Sequence, residues 1–544
     1  MLDPPGRNTA HPSAAPAKRL HSPYHNEIQR QLRDVFSLTD FRENQLEAIT
    51  ATMDGKDVFV LMPTGGGKSL CYQLPAVCTT GRTHGLTIVV SPLTALMEDQ
   101  VSALTAKGID AFFWSAETSQ LEVNARLWNG DKKPSLLYIT PEKLRASPSC
   151  RNLLEKLYHQ KQLARFAIDE AHCISTWGQD FRNAYQGLGQ LRGDYPDVPI
   201  IALTATANQR TRDDIINQLQ LRNPAKFIQS FNRPNLKYVI KRKKNVLADI
   251  VDFINTEHQD HSGIIYCLSR KSCEQVSGQL KERGVAAEFF HAGLSKEEKN
   301  RLLEDWKGDK FRIIVATIAF GMGIDKADVR FVIHYDLPKC LSGYYQETGR
   351  AGRDGKPADC VLYYAFKDFK TICWMIEHSN DREEPLMPEA VQRQKDAARE
   401  VVKYCANISE CRRVQVLRHF GQDFDERDCR RGCDNCLDDR QAVVEDVTVV
   451  ATSIIDVMQA ISNMKGKITL PQLTGVLRGS NAADIRNRGW AGIAGFGTCK
   501  SLSKELVELA LDRLLDLKIL LLTTQRQHND FHHEYVEVWT PLVT

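Results

Sequence analysis

Between residues 24 and 225, short uninterrupted apolar runs alternate with stretches whose apolar positions recur at helical spacing. The runs at 58–62, 86–90, 136–140, 166–168 and 200–203 each end in a polar or Gly/Pro turn. Unbroken apolarity without alternation suits strands covered on both faces, as in a parallel sheet flanked by helices. A second series follows at 263–267, 288–290, 312–316, 330–333 and 360–364. Two α/β layers of similar size predict two lobes with a cleft between them, a favoured place for a ligand.

The pattern then changes. Residues 380–410 are polar and helix-favouring, and they lead into a cysteine cluster at 411–436. Beyond it, Val450, Ile454, Val457, Met458 and Ile461 share one helical face, as do Val507, Ala510, Leu511 and Leu514. A loop carrying Gly489, Gly492, Gly495 and Gly497 separates these helices, and runs at 519–524 and 535–539 flank the polar tip QRQHNDFHHE. Helices followed by a β-hairpin predict a winged-helix module. Five prolines within residues 1–23 predict a flexible tail.

Composition narrows the class. With 544 residues, of which 42% are hydrophobic, the chain can bury several cores, so wholesale disorder is excluded. It has no apolar run of about 18 residues and opens with no signal-like segment, so a soluble, unsecreted protein with no membrane partner is expected. Fifteen cysteines then read as reduced thiols or metal ligands and not as a disulfide framework. The formal net charge of +3 is nearly silent about nucleic acid. Residues 226–244, however, hold Lys226, Arg233, Lys237, Lys241, Arg242, Lys243 and Lys244 without one acid, a DNA-facing or solvated stretch.

Candidate chemistry begins directly after the first run, with MPTGGGKS at 62–69. Thr64 and glycines 65, 66 and 67 (Gly65, Gly66, Gly67) form a turn whose N–H groups can face phosphate oxygens. Lys68 places a charge at the β/γ-phosphates, and Ser69 can ligate Mg²⁺. A strict P-loop carries Gly at position 62, so this is a variant. About 100 residues on, an apolar run ends in DEAH at 169–172. Asp169 can hold the Mg²⁺, and Glu170 can activate a water against the γ-phosphate. QETGRAGRDG at 346–355 supplies Gln346, Arg350 and Arg353 from the second lobe, which would make hydrolysis depend on lobe closure. The cluster Cys411, Cys429, Cys433 and Cys436 has the spacing of a closed, tetrahedral zinc site, with Cys405 as a competing ligand.

In this order the motifs resemble those of the RecQ-type DNA helicases, and in particular a Bloom-like catalytic core, over about residues 28–540. SPLTALMEDQ (91–100), YITPEKL (138–144), ALTATA (202–207), FNRPNL (231–236) and AFGMGIDKADVRFVIH (319–334) match in turn. The resemblance implies two RecA-like parallel-sheet lobes (24–230 and 231–380), a helical zinc-binding subdomain (381–440) and a winged-helix domain (441–544). FSLTDFRENQ (36–45) is similar to the family's adenine-reading segment, which implies that Arg42 and Gln45 contact the base and Leu38 packs on it. CISTWGQDFR (173–182) resembles the aromatic-rich loop that senses single-stranded DNA. It implies stacking by Trp177 and Phe181 and a phosphate or base-plane contact by Arg182. Gln179 stands where the family commonly has His, and Ala327 where it commonly has Pro. CRR at 411–413 and CDNC at 433–436 are similar to the family's zinc-ligand segments. In the wing, Phe531 is the candidate strand-separating wedge, with a solvated turn as the alternative.

The implied activity is ATP-driven 3′→5′ unwinding of DNA in recombination, repair and replication. The implied cofactors are ATP, Mg²⁺ and one structural Zn²⁺. The implied partners are single-stranded and fork or junction DNA together with recombination and repair proteins, and the implied compartment is the nucleus. Two other readings stand beside it, a DEAH-type RNA helicase and a DNA-structure-binding or annealing scaffold with a regulatory ATPase.

Overall fold

The computed structural model describes residues 22–115, 117–128, 133–175, 183–321, 326–378, 387–438, 446–526 and 532–538. The chain divides into two compact units, Met1–Arg440 and Gln441–Thr544.

The first unit is built on two parallel sheets, as the two series of apolar runs predict. In chain order, the strands of the first sheet are β1 (Val58–Leu61), β2 (Leu86–Val90), β3 (Ala111–Phe113), β4 (Leu136–Ile139), β5 (Leu163–Ile168), β6 (Ile200–Thr204) and β7 (Ala225–Ile228). They lie side by side as β3-β4-β2-β5-β6-β1-β7. Strands β1, β2, β4, β5 and β6 are buried along their length, because helices cover both faces. The two edge strands, β3 and β7, lie outside the predicted runs, and in β7 only alternate residues are even partly buried.

The second sheet comprises β8 (Leu236–Arg242), β9 (Ser262–Tyr266), β10 (Ala287–Phe290), β11 (Ile313–Ala316), β12 (Val329–His334) and β13 (Ala358–Tyr364), ordered β10-β11-β9-β12-β13-β8. Edge strand β8 runs straight through the basic stretch, and this changes the reading of that stretch. Lys243, just past its end, is not displayed to a ligand. Its Nζ lies 2.6 Å from Asp336 and 3.0 Å from Asp368, with all three side chains largely covered. The outer edge of β8 is in turn covered by the cysteine-cluster segment. Tyr238 N–H donates to Gly432 O at 3.1 Å, and Ile240 N–H donates to Asp434 Oδ2 at 2.9 Å. The polar stretch expected to be helical forms the helix Pro388–Ala406.

The second unit has its own core. Val450, Ile454, Val457, Met458 and Ile461 of helix Thr448–Asn463 pack with Val507, Leu511 and Leu514 of helix Lys504–Asp516 and with Trp490. The hairpin β14 (Leu520–Arg526) and β15 (His532–Val538) closes it with Leu520 and Val536. Ile468 adds an antiparallel bridge to Val536, so helices and an antiparallel ribbon share one core, as a winged helix requires. Among the described residues, no helix is long and apolar enough to cross a membrane.

Candidate nucleotide cleft and cysteine cluster

In the first sheet, β6 lies between β1 and β5, so the loops leaving these three strands converge at one end of the sheet. The glycine turn leaves β1. Gly65 and Gly67 have φ of +79° and +82°, a conformation that disfavours side chains, and a Cβ on Gly67 would sit 2.2 Å from Gln45 Nε2. That nitrogen donates to the Gly67 carbonyl at 3.0 Å, while Gln45 Oε1 accepts from the Arg42 N–H at 2.7 Å. Gln45 is buried, whereas Leu38 and Arg42 are exposed. The segment expected to read the base is thus tied to the segment expected to hold phosphates. Lys68 Nζ donates to the Met62 carbonyl at 3.2 Å, and Ser69 immediately precedes helix Leu70–Val77.

Asp169 and Glu170 follow β5. The Asp169 carboxylate accepts from the Glu170 N–H at 3.0 Å, and its carbonyl accepts from the Tyr185 hydroxyl at 3.0 Å. Glu170 has φ of +48°, which turns its side chain back towards His172, with 3.2 Å between Oε2 and Nδ1. The same Nδ1 is 2.9 Å from Thr204 Oγ1 at the end of β6. Burial, and then the charge of Glu170, hold Asp169 above the ordinary carboxylate range. Burial works to raise Glu170 as well, but the hydrogen bond and charge of His172, followed by Lys68 and Arg350, bring it below that range. Burial lowers Lys68, while Glu170 and Asp169 act against it.

The second sheet's contribution comes from helix Leu341–Thr348 and the turn after it. Gln346 is half-buried on that helix. Arg350 is buried, with Nη1 donating to the Gly321 carbonyl, and its charge reaches Glu170. The Arg353 side chain lies against the glycine turn, with Cγ 3.4 Å from where a Cβ on Gly65 would stand, and its charge reaches Lys68. The structure thus brings Thr64, Gly65, Gly66, Gly67, Lys68, Ser69, Asp169, Glu170, Arg350 and Arg353 to one cleft between the two sheets. Trp177, Gln179, Phe181, Arg182 and the wing's Phe531 lie outside the described residues.

The motifs missed three contributors. Gln229 donates from Nε2 to the Glu43 carbonyl, pinning the segment expected to read the base from the far edge of the sheet. Arg233 donates to the Thr64 carbonyl at 3.3 Å and the Gly352 carbonyl at 2.9 Å, so it spans the cleft. Thr204 anchors His172. ALTATA and DEAH were both visible as strings, but nothing in either indicates that they touch.

The four sulfurs of Cys411, Cys429, Cys433 and Cys436 lie within 4.8 Å of one another, and Cys411 and Cys433 are 3.9 Å apart. Tetrahedral Zn–S bonds of about 2.3 Å place sulfurs about 3.8 Å apart, so the donor set fits zinc. Cys405 is buried elsewhere and is not part of the group. A second cluster, Glu257, His258 and Asp359, lies at the start of β9 and β13. There His258 Nε2 is already 3.1 Å from Asp359, with Lys237 beside it.

Comparison with known proteins agrees with this arrangement. The DEAD/DEAH box helicase family matches residues 42–215, the helicase conserved C-terminal domain 242–355, the RecQ zinc-binding family 366–437 and the RQC domain 441–539. The chain is 46% identical over 521 residues to the ATP-dependent DNA helicase hus2/rqh1 of Schizosaccharomyces pombe, covering 95% of this chain and 39% of that protein. It is 40% identical to the RecQ-like DNA helicase BLM of Xenopus laevis, covering 96% and 39%. It is also 40% identical to the ATP-dependent DNA helicase Q1 of Pongo abelii, covering 86% of this chain and 71% of that protein. The chain therefore spans about two fifths of the length of the first two relatives.

Proposed function

Because the chain belongs to the RecQ family of helicases, we propose that it is an ATP-dependent DNA helicase that moves 3′→5′ on one strand and separates the duplex ahead of it. One observation carries the ATPase part of this reading, namely that the Arg353 side chain, from the turn after helix Leu341–Thr348, lies against Gly65 of the glycine turn. An arginine brought from the second lobe to phosphates held by the first makes turnover depend on the relation between the lobes, so hydrolysis can drive lobe motion.

In this reading, residues 64–69 cradle the phosphates, Gln45 and Arg42 read the base, and Leu38 covers it. Lys68 neutralises phosphate charge, Glu170 takes the proton of the attacking water, and Gln346, Arg350 and Arg353 complete the pocket from the second lobe. Mg²⁺ would be held by Ser69 and Asp169, where it would neutralise phosphate charge. Zn²⁺ would be held by Cys411, Cys429, Cys433 and Cys436 as a structural ion. Trp177, Phe181 and Arg182 would contact the translocated strand, and Phe531 would act at the point of separation. The functional divisions are the two lobes at 24–230 and 231–380, the zinc subdomain at 381–440 and the winged helix at 441–544. Substrates are forks, junctions and tailed duplexes in recombination, repair and replication, which places the protein in the nucleus with other proteins of those processes.

Strand separation on a duplex with a 3′ single-stranded tail, beside a 5′-tailed control, tests the reading. Unwinding of the 3′-tailed substrate that requires ATP and Mg²⁺ is expected. Unwinding without nucleotide, or annealing as the only activity, would replace the motor with a DNA-binding scaffold. A strict preference for RNA duplexes would favour the RNA-helicase reading.

A further inference from the structure

Arg233 lies in the segment that joins β7 to β8, so it belongs to the connection between the two sheets. Its guanidinium makes no carboxylate pair among the described residues. Instead, Nη1 donates to the carbonyls of Thr64 and Gly349, each at 3.3 Å, and Nη2 donates to those of Ala351 at 3.0 Å and Gly352 at 2.9 Å. One side chain thus holds the phosphate-loop backbone and three of the four main-chain carbonyls that precede Arg353. Asn235 adds a second grip from the same segment. Its Nδ2 donates to Gly352 O at 2.9 Å and Lys356 O at 2.8 Å. Gly352 adopts φ of +56° with Asn235 so close that a Cβ would sit 2.4 Å from its Nδ2.

The segment carrying Arg233 is itself gripped from behind. Arg413, two residues after the cluster ligand Cys411, is 3% exposed. It donates to Asn232 Oδ1 at 2.9 Å, to Arg233 O at 2.6 Å, to Pro234 O at 3.2 Å and to Leu236 O. Gln422 Oε1 accepts from the Phe231 N–H at 2.8 Å, and Phe420 stacks on Phe231 with ring centroids 4.4 Å apart. Two arginines in series, Arg413 buried and Arg233 partly buried, therefore connect the cysteine-cluster subdomain to the turn that presents Arg353. An arginine fork is suited to this, because its five N–H donors are fixed in one plane, whereas a lysine ammonium cannot span carbonyls on two segments.

We propose that Arg233 is a positioning residue that sets where Arg353 stands against the phosphate loop. Arg413 fixes the main chain of 232–236 and so lets the cysteine-cluster subdomain govern ATP turnover from outside the cleft. The inference rests on the ATPase reading above. It assigns to the cluster subdomain a role in catalytic geometry beyond folding.

The test uses the full chain and the variants Arg233→Lys, Arg413→Lys, Asn235→Ala, Arg353→Ala and the double variant Arg233→Lys/Arg353→Ala. Measured are DNA-stimulated ATP hydrolysis, binding of a fluorescent ATP analogue, bound zinc and thermal melting. Arg233→Lys is expected to lower kcat by about tenfold to a hundredfold, the size of effect expected from misplacing a catalytic group. Analogue affinity should stay within about threefold, because the phosphate loop is intact and only transition-state interactions are lost. Arg413→Lys should act in the same direction with zinc retained. The double variant should be no slower than Arg353→Ala alone, since a residue acting only through Arg353 has nothing left to position.

Multiplying effects in the double variant, or an Arg233→Lys chain with unchanged kcat, would overturn the inference. If Arg233→Lys melts too early to assay, Asn235→Ala decides the matter by the same comparison. Turnover at the wild-type level there would count against the inference, and a reduced kcat with intact analogue binding would support it. A wild-type chain that hydrolyses no ATP would instead refute the ATPase reading on which the inference rests.

Discussion

The ring nitrogen Nδ1 of His172 and the hydroxyl of Thr204 lie 2.9 Å apart, joining the loop after β5 to the end of β6. Thr204 Oγ1 also donates to the Thr206 carbonyl at 3.3 Å and accepts from the Thr206 N–H at 3.2 Å, so its second lone pair is left to receive an Nδ1–H from His172. The same Nδ1 faces Glu170 Oε2 at 3.2 Å. Through this imidazole, the carboxylate expected to act on water is held against the strand neighbouring β1.

Thr204→Val keeps the shape and removes the acceptor. His172 then loses its anchor while Asp169, Lys68 and the glycine turn are untouched. We expect kcat for ATP hydrolysis to fall by about tenfold or more, with KM for ATP within about twofold, since misplacement of a catalytic group is felt in the transition state. Steady-state kinetics check this, and a KM rise with unchanged kcat would place Thr204 in nucleotide binding instead.

Lys243 offers a test of the basic stretch. Its ammonium is closed in by Asp336 and Asp368, which raise its pKa against the opposing effect of burial. Lys243→Ala leaves two largely covered carboxylates facing each other, and should cost about 1–3 kcal/mol of stability after allowance for solvent screening. Affinity for single-stranded DNA should stay within about twofold, because a charge already paired inside the fold contributes little to phosphate binding. Urea unfolding and fluorescence anisotropy separate the two effects.

The interior strands were legible because a strand covered on both faces is mostly apolar, as β1 (Val-Phe-Val-Leu) and β11 (Ile-Ile-Val-Ala) are along their whole length. Edge strands β7 and β8 were not, for the same reason, whereas edge strand β10 falls on the run at 288–290. Strand β8 reads Leu-Lys-Tyr-Val-Ile-Lys-Arg with its lysines outward, and it resembles a basic linker until the cysteine-cluster segment is laid along it. The site divides in the same way. Lys68, Asp169 and Glu170 sit in short local patterns that carry their chemistry with them. Arg233 and Arg413 act on main-chain carbonyls, and any sequence provides those, so no string marks the recipients. Net charge misled because it sums groups that the fold pairs internally with groups that face solvent.

The cysteine cluster makes a paired prediction. Cys433→Ser removes one of four sulfurs that lie within 4.8 Å of one another, and bound zinc should fall from about one per chain to near zero, with a lower melting temperature. Cys405→Ser should keep its zinc, since that thiol is buried elsewhere and burial holds it well above the ordinary thiol range. Elemental analysis after dialysis against a mild chelator decides both. Zinc retained in Cys433→Ser would exclude it as a ligand, and zinc lost in Cys405→Ser would bring that residue into the set.

The last prediction concerns acid stability. Glu27, on helix His25–Asp34, accepts from the Thr79 N–H at 2.6 Å, the Thr79 hydroxyl at 2.8 Å, the Thr80 N–H at 2.9 Å and the Thr80 hydroxyl. Burial alone would raise its pKa, but these hydrogen bonds, those from Thr80 foremost, lower it from 4.5 to about 2. A carboxylate whose pKa is depressed in the fold binds protons more readily when unfolded. Its contribution is therefore complete above the unfolded value of 4.5 and fades as pH falls towards about 2. Glu27→Gln should unfold at a lower urea concentration than the wild type at pH 6, and the gap between them should narrow steadily between about pH 4.5 and pH 2. Urea titrations of both chains across that range give the comparison directly. A gap independent of pH would mean that the side chain acts by packing and neutral hydrogen bonding, with no part for its charge.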